Sequence, residues 1–252
     1  MSFTTELTTL RTSRWPTDQV LLSVADGGAT GAALQMRGAV LLVNGLPAAL
    51  AKEAASVLAP VRADLPAVRG TRATATAFSQ AWSEATGASV TTSFTETLYR
   101  LDELVAPDDV AGVARLAGPE DAELLVGWLD EFFVEAFASE SNPDASRTVL
   151  GDIVDTGGRV VLWTVDDVPV AMARTHAVLL GMSRIGPVYT PPGERGHGYG
   201  AAVTAEGVRQ ARRDGARDVV LFADVANFVA NRIYRRLGFV PVTEHVQYAF
   251  SA

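Results

Sequence analysis

The stretch RGHGYGA, residues 195–201, lies between a run of residues typical of a strand and a run typical of a helix. Glycines at every second position let a backbone come close to a ligand and direct its own N–H groups at it. A helix that begins where such a loop ends adds the positive end of its dipole, so the favoured ligand is an anion, usually a phosphate. The loop therefore predicts a strand–loop–helix unit that binds a phosphate-bearing molecule.

The bulk composition fits a globular protein with one large domain or two of ordinary size. The 252 residues are 48% hydrophobic and 20% charged, which is enough for a substantial core. The formal net charge of −8 argues against nucleic-acid binding through a broad basic face. An acidic protein accommodates an anionic ligand only at a local site of N–H groups and a few arginines, and it weakly favours an amine-bearing second substrate.

The chain contains no cysteine, which removes disulfides, thiolate metal sites and a cysteine nucleophile. Residues 1–6 lack the basic and apolar regions of a signal peptide. No uninterrupted apolar stretch approaches the roughly 20 residues needed to span a bilayer. We therefore expect a cytoplasmic protein with no membrane partner and no metal site.

Periodicity and turn signals predict alternating strands and helices. In the first half we expect strands over 40–43 and 90–101 and helices over 48–58 and 73–86. In the second half we expect a strand over 112–116, helices from 119 to 138 and from 143 to about 154, a hairpin over 159–180, a strand over 185–190, a helix over 199–213, a strand over 218–223, a helix over 227–237 and terminal strands over 240–250. This order predicts an α/β (α+β layered) fold with a mixed, mostly antiparallel sheet flanked by helices.

Two common phosphate-binding loops fit the glycine stretch poorly. A nucleotide triphosphatase loop needs Lys followed by Ser or Thr after its last glycine, whereas Gly200 is followed by Ala201 and Ala202. A dinucleotide loop has the spacing G-x-G-x-x-G in an early βαβ unit. Here the spacing is G-x-G-x-G and antiparallel strands precede it, although Asp224 lies near the expected acidic position. The dinucleotide interpretation is therefore disfavoured.

A third type of loop matches at two places in the chain. Within residues 188–201, Arg195, Gly198 and Gly200 form the pattern R-x-x-G-x-G. Residues 227–239, NFVANRIYRRLGF, carry Asn, Ala, Tyr and a final Gly-Phe, one helix and one strand later. Over residues 113–252 these two motifs resemble the GNAT superfamily of N-acetyltransferases.

The resemblance implies a site for acetyl-CoA as co-substrate. The N–H groups of residues 196–201 would hold its pyrophosphate, and Arg195 would add a charge-assisted contact unless it is an ordinary solvated residue. The pantetheine arm would pair with exposed backbone at Val188 and Thr190 like an added strand, while Tyr189 would point into the core or toward the acceptor. The residues expected to bind the cofactor are Val188, Tyr189, Thr190, Arg195, Gly196, His197, Gly198, Tyr199, Gly200, Ala201, Asn227 and Asn231.

The last predicted helix carries the expected catalytic acid. Asn227, Ala230 and Tyr234 share one face of this helix by their spacing; Asn227 suits an N-cap, and Asn231 lies beside that face within reach of the cofactor arm. When an amine attacks the thioester, a CoA thiolate leaves, and a phenol within reach can protonate it. The resemblance therefore assigns this role to Tyr234; the alternative is a core aromatic residue.

The base that accepts the amine proton stays unassigned. Glu131, Glu135, His176, Glu244 and His245 are all candidates. A histidine on an apolar strand is more often a satisfied core residue than a base, so the residue types alone do not choose among the five.

A weaker copy of the loop lies earlier in the chain. Residues 69–75, RGTRATA, align with residues 195–201, and a helical pattern ended by a glycine follows each stretch. Arg72 and Thr74 stand where the later copy has glycines, and their side chains would crowd a pyrophosphate. Unless this short alignment is a chance match, it predicts tandem GNAT domains.

The linker candidate at 106–109 would then separate a degenerate N-terminal domain, residues 1–108, from an acetyltransferase domain, residues 109–252. The acceptor is expected at the junction of the two domains.

The predicted function is transfer of an acetyl group from acetyl-CoA to a primary amine of a small molecule or peptide. With no cysteine to carry an acyl group, the amine would attack directly in a ternary complex. The alternative is a CoA-binding regulatory or non-catalytic module that retains the pyrophosphate loop. The protein is expected to be a monomer or a homodimer.

Overall fold

The computed structural model describes residues 20–26, 29–35 and 39–251. Residues 1–6, on which the signal-peptide expectation rests, lie outside these ranges. Across the described ranges, no helix combines the length and apolarity that a membrane crossing needs.

Strands and helices alternate along most of the described chain. The strands are β1 (Val20–Asp26), β2 (Ala29–Gln35), β3 (Leu41–Gly45), β4 (Ala67–Thr71), β5 (Ser89–Leu101), β6 (Val113–Leu116), β7 (Arg159–Val165), β8 (Val168–Thr175), β9 (Met182–Tyr189), β10 (Asp218–Asp224) and β11 (Phe239–Ser251). The helices are α1 (Ala51–Leu58), α2 (Arg72–Thr86), α3 (Ala122–Phe137), α4 (Pro143–Asp155), α5 (Tyr199–Arg213) and α6 (Phe228–Arg236).

The chain divides into two compact units whose segments are interleaved in sequence. Unit 1 comprises the described residues up to Leu98 together with Ala223–Asn227 and the residues from Val242 onward. Unit 2 comprises Tyr99–Phe222 and Phe228–Pro241. Strands β5, β10 and β11 therefore contribute residues to both units, and the sequence-based division at residue 108 stays a prediction.

Unit 1 has the strand order β1-β2-β3-β4-β11-β5. β1 pairs antiparallel with β2, and β2 with β3, whereas β3 runs parallel to β4 because α1 crosses between them. β4 pairs along its whole length with β11, from Ala67 opposite Ala249 to Thr71 opposite His245. Strand β4 therefore has a partner strand on each side.

Helix α2 covers this sheet with an apolar face. Phe78 and Trp82, one turn apart, are buried and stack with their ring centroids 5.8 Å apart. The helix ends at Gly87, which adopts φ 77° and donates its N–H to the Ser83 carbonyl at 2.8 Å. A left-handed glycine at this position ends the helix as the sequence predicts.

Unit 2 has the strand order β10-β9-β8-β7-β6. Strands β6 to β9 pair antiparallel, whereas β10 is parallel to β9 because α5 crosses between them. The tight turn between β7 and β8 is formed by Asp166 and Asp167, with φ values of 49° and 63°. Aspartate tolerates this left-handed geometry, so the predicted hairpin is confirmed.

The two faces of the unit 2 sheet carry different helices. Helices α3 and α4 pack on one face through a core that includes Leu129, Ile153 and Met172. Helix α5 packs on the other face, where a Cβ at Gly207 would lie 3.6 Å from Ala173 Cβ and 3.7 Å from Thr175 Cγ2. The glycine lets the helix approach the sheet closely.

The mixed, mostly antiparallel sheet flanked by helices confirms the predicted fold class. One predicted strand is shorter than expected, since β8 ends at Thr175. Leu179 and Met182 exchange backbone hydrogen bonds of 2.9 and 3.0 Å around a turn in which Leu180 and Gly181 have positive φ. This turn reverses the chain into β9.

Candidate functional site

The glycine loop forms the N-terminal end of α5. Gly196 and Gly198 adopt φ values of 89° and 86°, and Gly198 is the N-cap of the helix. Helical hydrogen bonds begin with the N–H groups of Ala201 and Ala202, which both donate to the Gly198 carbonyl at 3.0 Å. The N–H groups of residues 196–200 therefore precede the first helical hydrogen bond, at the positive end of the helix dipole.

Glycine is required in this loop for two different reasons. Positive φ disfavours any side chain at Gly196 and Gly198, and a Cβ at Gly198 would also lie 3.2 Å from Val110 Cγ2. Gly200 lies in ordinary helical backbone, but its Cβ would lie 3.3 Å from Thr190 Oγ1. The contact with Val110, in the segment before β6, has no signal in the sequence.

The strand that leads into the loop separates from its neighbour. Registered pairs between β9 and β10 run from Met182 with Asp218 to Ile185 with Leu221, and none is present among the described residues beyond that point. Val188 and Tyr189 pair only with β8, on the opposite side. The last residues of β9 thus present one backbone edge without a registered partner.

Arg195 is held by two acceptors. Its Nε donates to the Thr190 carbonyl at 2.9 Å, and its Nη2 pairs with Glu135 Oε2 at 2.5 Å. The hydrogen bond that Arg195 donates to Glu135 is the main reason why the pKa of the guanidinium lies above its ordinary value. Arg195 therefore stays half-exposed beside the glycine loop, with its position fixed by a residue of α3.

Tyr189 lies in the core of unit 2 and turns its hydroxyl toward α3. The residue is 5% exposed, and its hydroxyl donates to Glu131 Oε2 at 2.8 Å. Burial, followed by the bond with Glu131, raises the pKa of this phenol to about 12. Two of the candidate bases are thus bonded to the predicted site: Glu131 to Tyr189 at the end of β9, and Glu135 to Arg195 in the loop that follows.

His197 and Tyr199 complete the described loop. Their rings stack with centroids 5.3 Å apart, and His197 Nδ1 lies 3.3 Å from the Glu194 carbonyl oxygen. Tyr199 is buried whereas His197 is exposed. The stack fixes the direction in which the loop enters α5.

Helix α6 brings Asn231 and Tyr234 into the interior of unit 2. Asn231 Oδ1 accepts a hydrogen bond of 2.7 Å from the buried Tyr99 hydroxyl. Tyr234 is 9% exposed, packs edge-to-face on Phe239 at 6.1 Å, and has its pKa raised to about 12 by burial. At neutral pH the phenol keeps its proton, which is the form that can act as an acid.

The glycine that follows α6 is sterically necessary. Gly238 has φ 92°, and a Cβ there would overlap the Glu103 carbonyl. The backbone N–H groups of Asp102 and Val105 donate to the carbonyls of Gly238 and Leu237 at 3.0 and 3.1 Å. The Gly-Phe end of the second motif therefore lets the segment after β5 lie against the end of α6.

Asn227 is not part of the same compact unit as the other expected site residues. It belongs to the segment Ala223–Asn227 of unit 1, where it is exposed and donates its backbone N–H to the Asp224 carbonyl at 3.0 Å. Helix α6 itself begins at Phe228.

The remaining candidate bases are engaged in other contacts. His176 has a pKa well below its ordinary value because it is buried beside Arg184 and Arg174. Burial also lowers the pKa of His245, in unit 1, to about 4, with Arg69 contributing. Glu244, in the same unit, forms an exposed ion pair of 2.7 Å with Arg72.

The counterpart of the loop in unit 1 is built differently. Strand β4 ends at Thr71 and α2 begins at Arg72, so there is no intervening loop. Thr74, which aligns with Gly200, is buried and donates its hydroxyl to the Leu46 carbonyl at 3.0 Å. Arg69 forms a buried ion pair with Glu96. The Thr74 side chain therefore stands where the later copy has Gly200.

Comparisons with known proteins agree with the fold. Residues 122–239 match the model of the acetyltransferase (GNAT) family. A mycothiol acetyltransferase of Saccharomonospora viridis is 40% identical over 68 residues, which are 26% of this chain and 22% of that protein. The chain spans less than a third of the length of the curated relatives that it matches.

Two solved structures share the fold over almost the whole chain. A GCN5-related N-acetyltransferase from Kribbella flavida has a TM-score of 0.63 and 20% identity, covering 100% of this chain and 97% of that one. A tandem GNAT protein from the clavulanic acid biosynthesis pathway has a TM-score of 0.59 and 15% identity, covering 98% and 87%. The chain thus shares its fold with these two proteins, and its residues 122–239 are similar to the acetyltransferase (GNAT) family.

Proposed function

We propose that this protein transfers an acetyl group from acetyl-CoA to a primary amine. The observation that carries the proposal is the row of N–H groups at residues 196–200. They precede the first helical hydrogen bond of α5 and follow the part of β9 that has no registered pair with β10 among the described residues. Such a terminus favours a pyrophosphate, and the open edge suits the amide-bearing arm of CoA. Arg195 would neutralise part of the phosphate charge, since its guanidinium is half-exposed and lies next to the loop.

In the proposed reaction, the amine nitrogen bonds to the thioester carbonyl carbon and the carbon–sulfur bond breaks. Tyr234 donates its phenolic proton to the departing sulfur, a role supported by a raised pKa that keeps the phenol protonated. The amine proton passes to water or to a base that we do not assign. The absence of cysteine from the sequence favours direct attack over an acyl-cysteine intermediate.

The proposed site is confined to unit 2, with one addition. Asn231, whose oxygen accepts a hydrogen bond from Tyr99, would contact the cofactor arm. Asn227, in unit 1, is retained as a proposed cofactor contact on the second motif alone. Unit 1 would bind no CoA, because Thr74 is buried and bonded in the position of Gly200.

The acceptor does not follow from the relatives' names. The curated relatives are named for mycothiol, but the matched segment is only 22% of the first of them and says little about an acceptor pocket. The regulatory alternative, a CoA-binding module without transfer, stays a second candidate because it would keep the same loop.

Two measurements separate these functions. Thermal unfolding with CoA and with acetyl-CoA should show a rise in Tm, corresponding to about 2.7 kcal/mol at a ligand concentration of 100 times Kd. A screen of primary amines should then release free thiol from acetyl-CoA. Stabilisation without thiol release would favour the regulatory module, and no stabilisation by either ligand would overturn both candidates.

A further inference from the structure

Strand β9 contains a bulge where it begins to separate from β10. Ala173 pairs with Val188 and Thr175 with Ile185, so two steps along β8 correspond to three steps along β9. The extra residue lies at Gly186–Pro187, a cis peptide, opposite Arg174. Registered pairing of β9 with β10 ends at the same Ile185. Bulges of this kind redirect side chains beside functional sites.

A group of three basic side chains lies on one face of the sheet at this bulge. Thr175 faces α5, so its strand neighbours Arg174 and His176 face the opposite side, toward α3 and α4. The His176 N–H donates to the Arg184 carbonyl at 2.9 Å, which places Arg184 directly across from it on β9. We call Arg174, His176 and Arg184 the basic cluster.

His176 contributes no positive charge to the basic cluster at neutral pH. The Arg184 guanidinium donates to His176 Nε2 from Nε at 3.2 Å and lies 2.7 Å away at Nη2. His176 Nε2 also lies 3.1 Å from the Gly186 carbonyl oxygen, so this nitrogen faces both a donor and an acceptor. The depressed pKa of this histidine agrees with a neutral ring. Its function is to orient Arg184.

Within the basic cluster, Arg174 has a buried nitrogen atom without a hydrogen-bond partner among the described residues. The residue is 9% exposed, and this atom is its Nε. Asp152 on α4 raises the pKa of the guanidinium through space, but burial outweighs it and lowers the pKa to about 10. The group therefore stays charged at neutral pH. A buried cation in this state is unfavourable unless an anion accompanies it.

The geometry points to a carboxylate on the acceptor as that anion. We infer that Arg174, supported by Arg184, binds the carboxylate of an amine substrate, so that the acceptor is an amino acid rather than a simple alkylamine or polyamine. This inference rests on the proposed function, since the bulge lies beside the β9 edge at which the thioester would bind. Neighbouring strands are only about 4.8 Å apart, which suits a substrate whose amine and carboxylate are a few atoms apart.

A matched substrate panel tests the inference. Free thiol release from acetyl-CoA would be measured with the twenty common amino acids and with their carboxamides, which keep the amine and lose the negative charge. For the amino acid that is used best, we expect kcat/KM at least about 10-fold higher than for its amide, because a charge-assisted hydrogen bond contributes about that factor or more. Arg174→Gln should remove this preference, and Arg174→Lys should retain part of it.

Two further measurements separate binding from a structural role. Arg159→Gln is the matched control, because Arg159 is a half-exposed arginine of the same sheet that pairs with Asp214 instead; it should leave the preference unchanged. Arg174→Met should leave the Tm of the ligand-free protein equal or higher, since it removes a buried cation whose desolvation outweighs its attraction to Asp152.

The possible failures are distinguishable. Equal or better use of the amides by the unmodified protein, or an acid preference that survives Arg174→Gln, would overturn the carboxylate site and leave the acetyltransferase intact. A lower Tm for Arg174→Met, with the preference unchanged in Arg174→Gln, would make Arg174 a structural residue. If none of the amines releases thiol from acetyl-CoA, the proposed function and this inference are overturned together.

Discussion

Two strand-to-helix junctions in this chain begin from similar sequences and reach different structures. At the end of β4, Thr71 leads directly into α2, and β11 pairs with β4 throughout. At the end of β9, pairing with β10 has already stopped at Ile185, and a glycine loop precedes α5. A ligand site here requires both small residues in the loop and an edge of the strand that no other strand covers.

The comparison also explains why unit 1 tolerates side chains that unit 2 excludes. Arg72 and Thr74 are stabilised by Glu244 and by the Leu46 carbonyl, respectively. In unit 2, by contrast, Gly198 has a positive φ, and a Cβ at Gly200 would lie 3.3 Å from Thr190 Oγ1. The following substitutions exchange or remove the features that differ.

The largest effect is expected when the first junction's residue is placed in the second. Gly198→Arg introduces a side chain at φ 86°, with its Cβ 3.2 Å from Val110 Cγ2, within the loop proposed to bind the pyrophosphate. We expect saturable CoA binding to be lost in calorimetric titration, and the free energy of unfolding to fall by about 1–2 kcal/mol. Gly193→Ala, with no neighbour within 4 Å of its Cβ, is the control and should bind normally. Normal binding by Gly198→Arg would show that the loop is not the CoA site.

Removing the hydroxyl of Tyr234 tests the catalytic assignment in the second unit. Tyr234→Phe should lower kcat about 100-fold, the lower end of what a general acid contributes, while the Kd for CoA stays within a factor of two. With the pKa near 12, the rate should show no decline caused by this group up to pH 10.

Tyr248→Phe is the control for the first unit, because it removes a hydroxyl that shares a hydrogen bond of 2.8 Å with Thr76 and keeps the aromatic ring. An unchanged kcat in Tyr234→Phe, measured by single-turnover thiol release, would leave Tyr234 as a packing residue.

The closed junction should show its own pH dependence through His245, which lies opposite Thr71. Burial lowers its pKa to about 4 from the ordinary 6.5. Between these values the unfolded chain binds a proton that the folded protein does not, so stability is lost as the pH falls. Between pH 7 and pH 5 this loss is about 2 kcal/mol.

Urea unfolding of the unmodified protein and of His245→Gln at both pH values measures this term as a difference. The pH dependence of His245→Gln should be smaller by the stated amount, while the loss due to His176 remains in both proteins. Identical pH dependence in the two proteins would mean that His245 titrates normally in the folded state.

The smallest change in ligand binding is expected from restoring glycines to the first junction. In the double variant Arg72→Gly with Thr74→Gly, CoA stoichiometry should stay at one per chain, because β11 still covers β4. Two glycines in the first turn of a helix should lower the free energy of unfolding by about 2 kcal/mol. Arg72→Ala is the control, and a second CoA bound by the double variant would refute the argument that the strand edge matters.

Local signals were sufficient for most elements of unit 2. The periodicity of residues 199–213, the turn at Asp166 and Asp167, and the Asn142-Pro143 break all predict the observed elements, because each acts within a few residues. Strands β1 and β2 had no such signal, since an alanine- and glycine-rich run such as Ala29–Gln35 alternates only weakly.

Contacts between segments that are distant along the chain could not be predicted from the sequence. Nothing local indicates that β11 covers β4, that Glu131 binds the Tyr189 hydroxyl or that Arg174 lies opposite a bulge. For the candidate site, the sequence predicts the loop and the helix of Tyr234, whereas the surrounding contacts that position them depend on tertiary packing.

The late position of β11 has a consequence for how the chain folds during synthesis. Chains usually complete their N-terminal domain first as they leave the ribosome. Here β4 lacks one of its two partners until the residues from Val242 onward have been made, whereas strands β6 to β9 and helices α3 and α4 are contiguous. The nascent chain should therefore complete much of unit 2 first, and until β11 emerges the edge of β4 is exposed to chaperones and to aggregation.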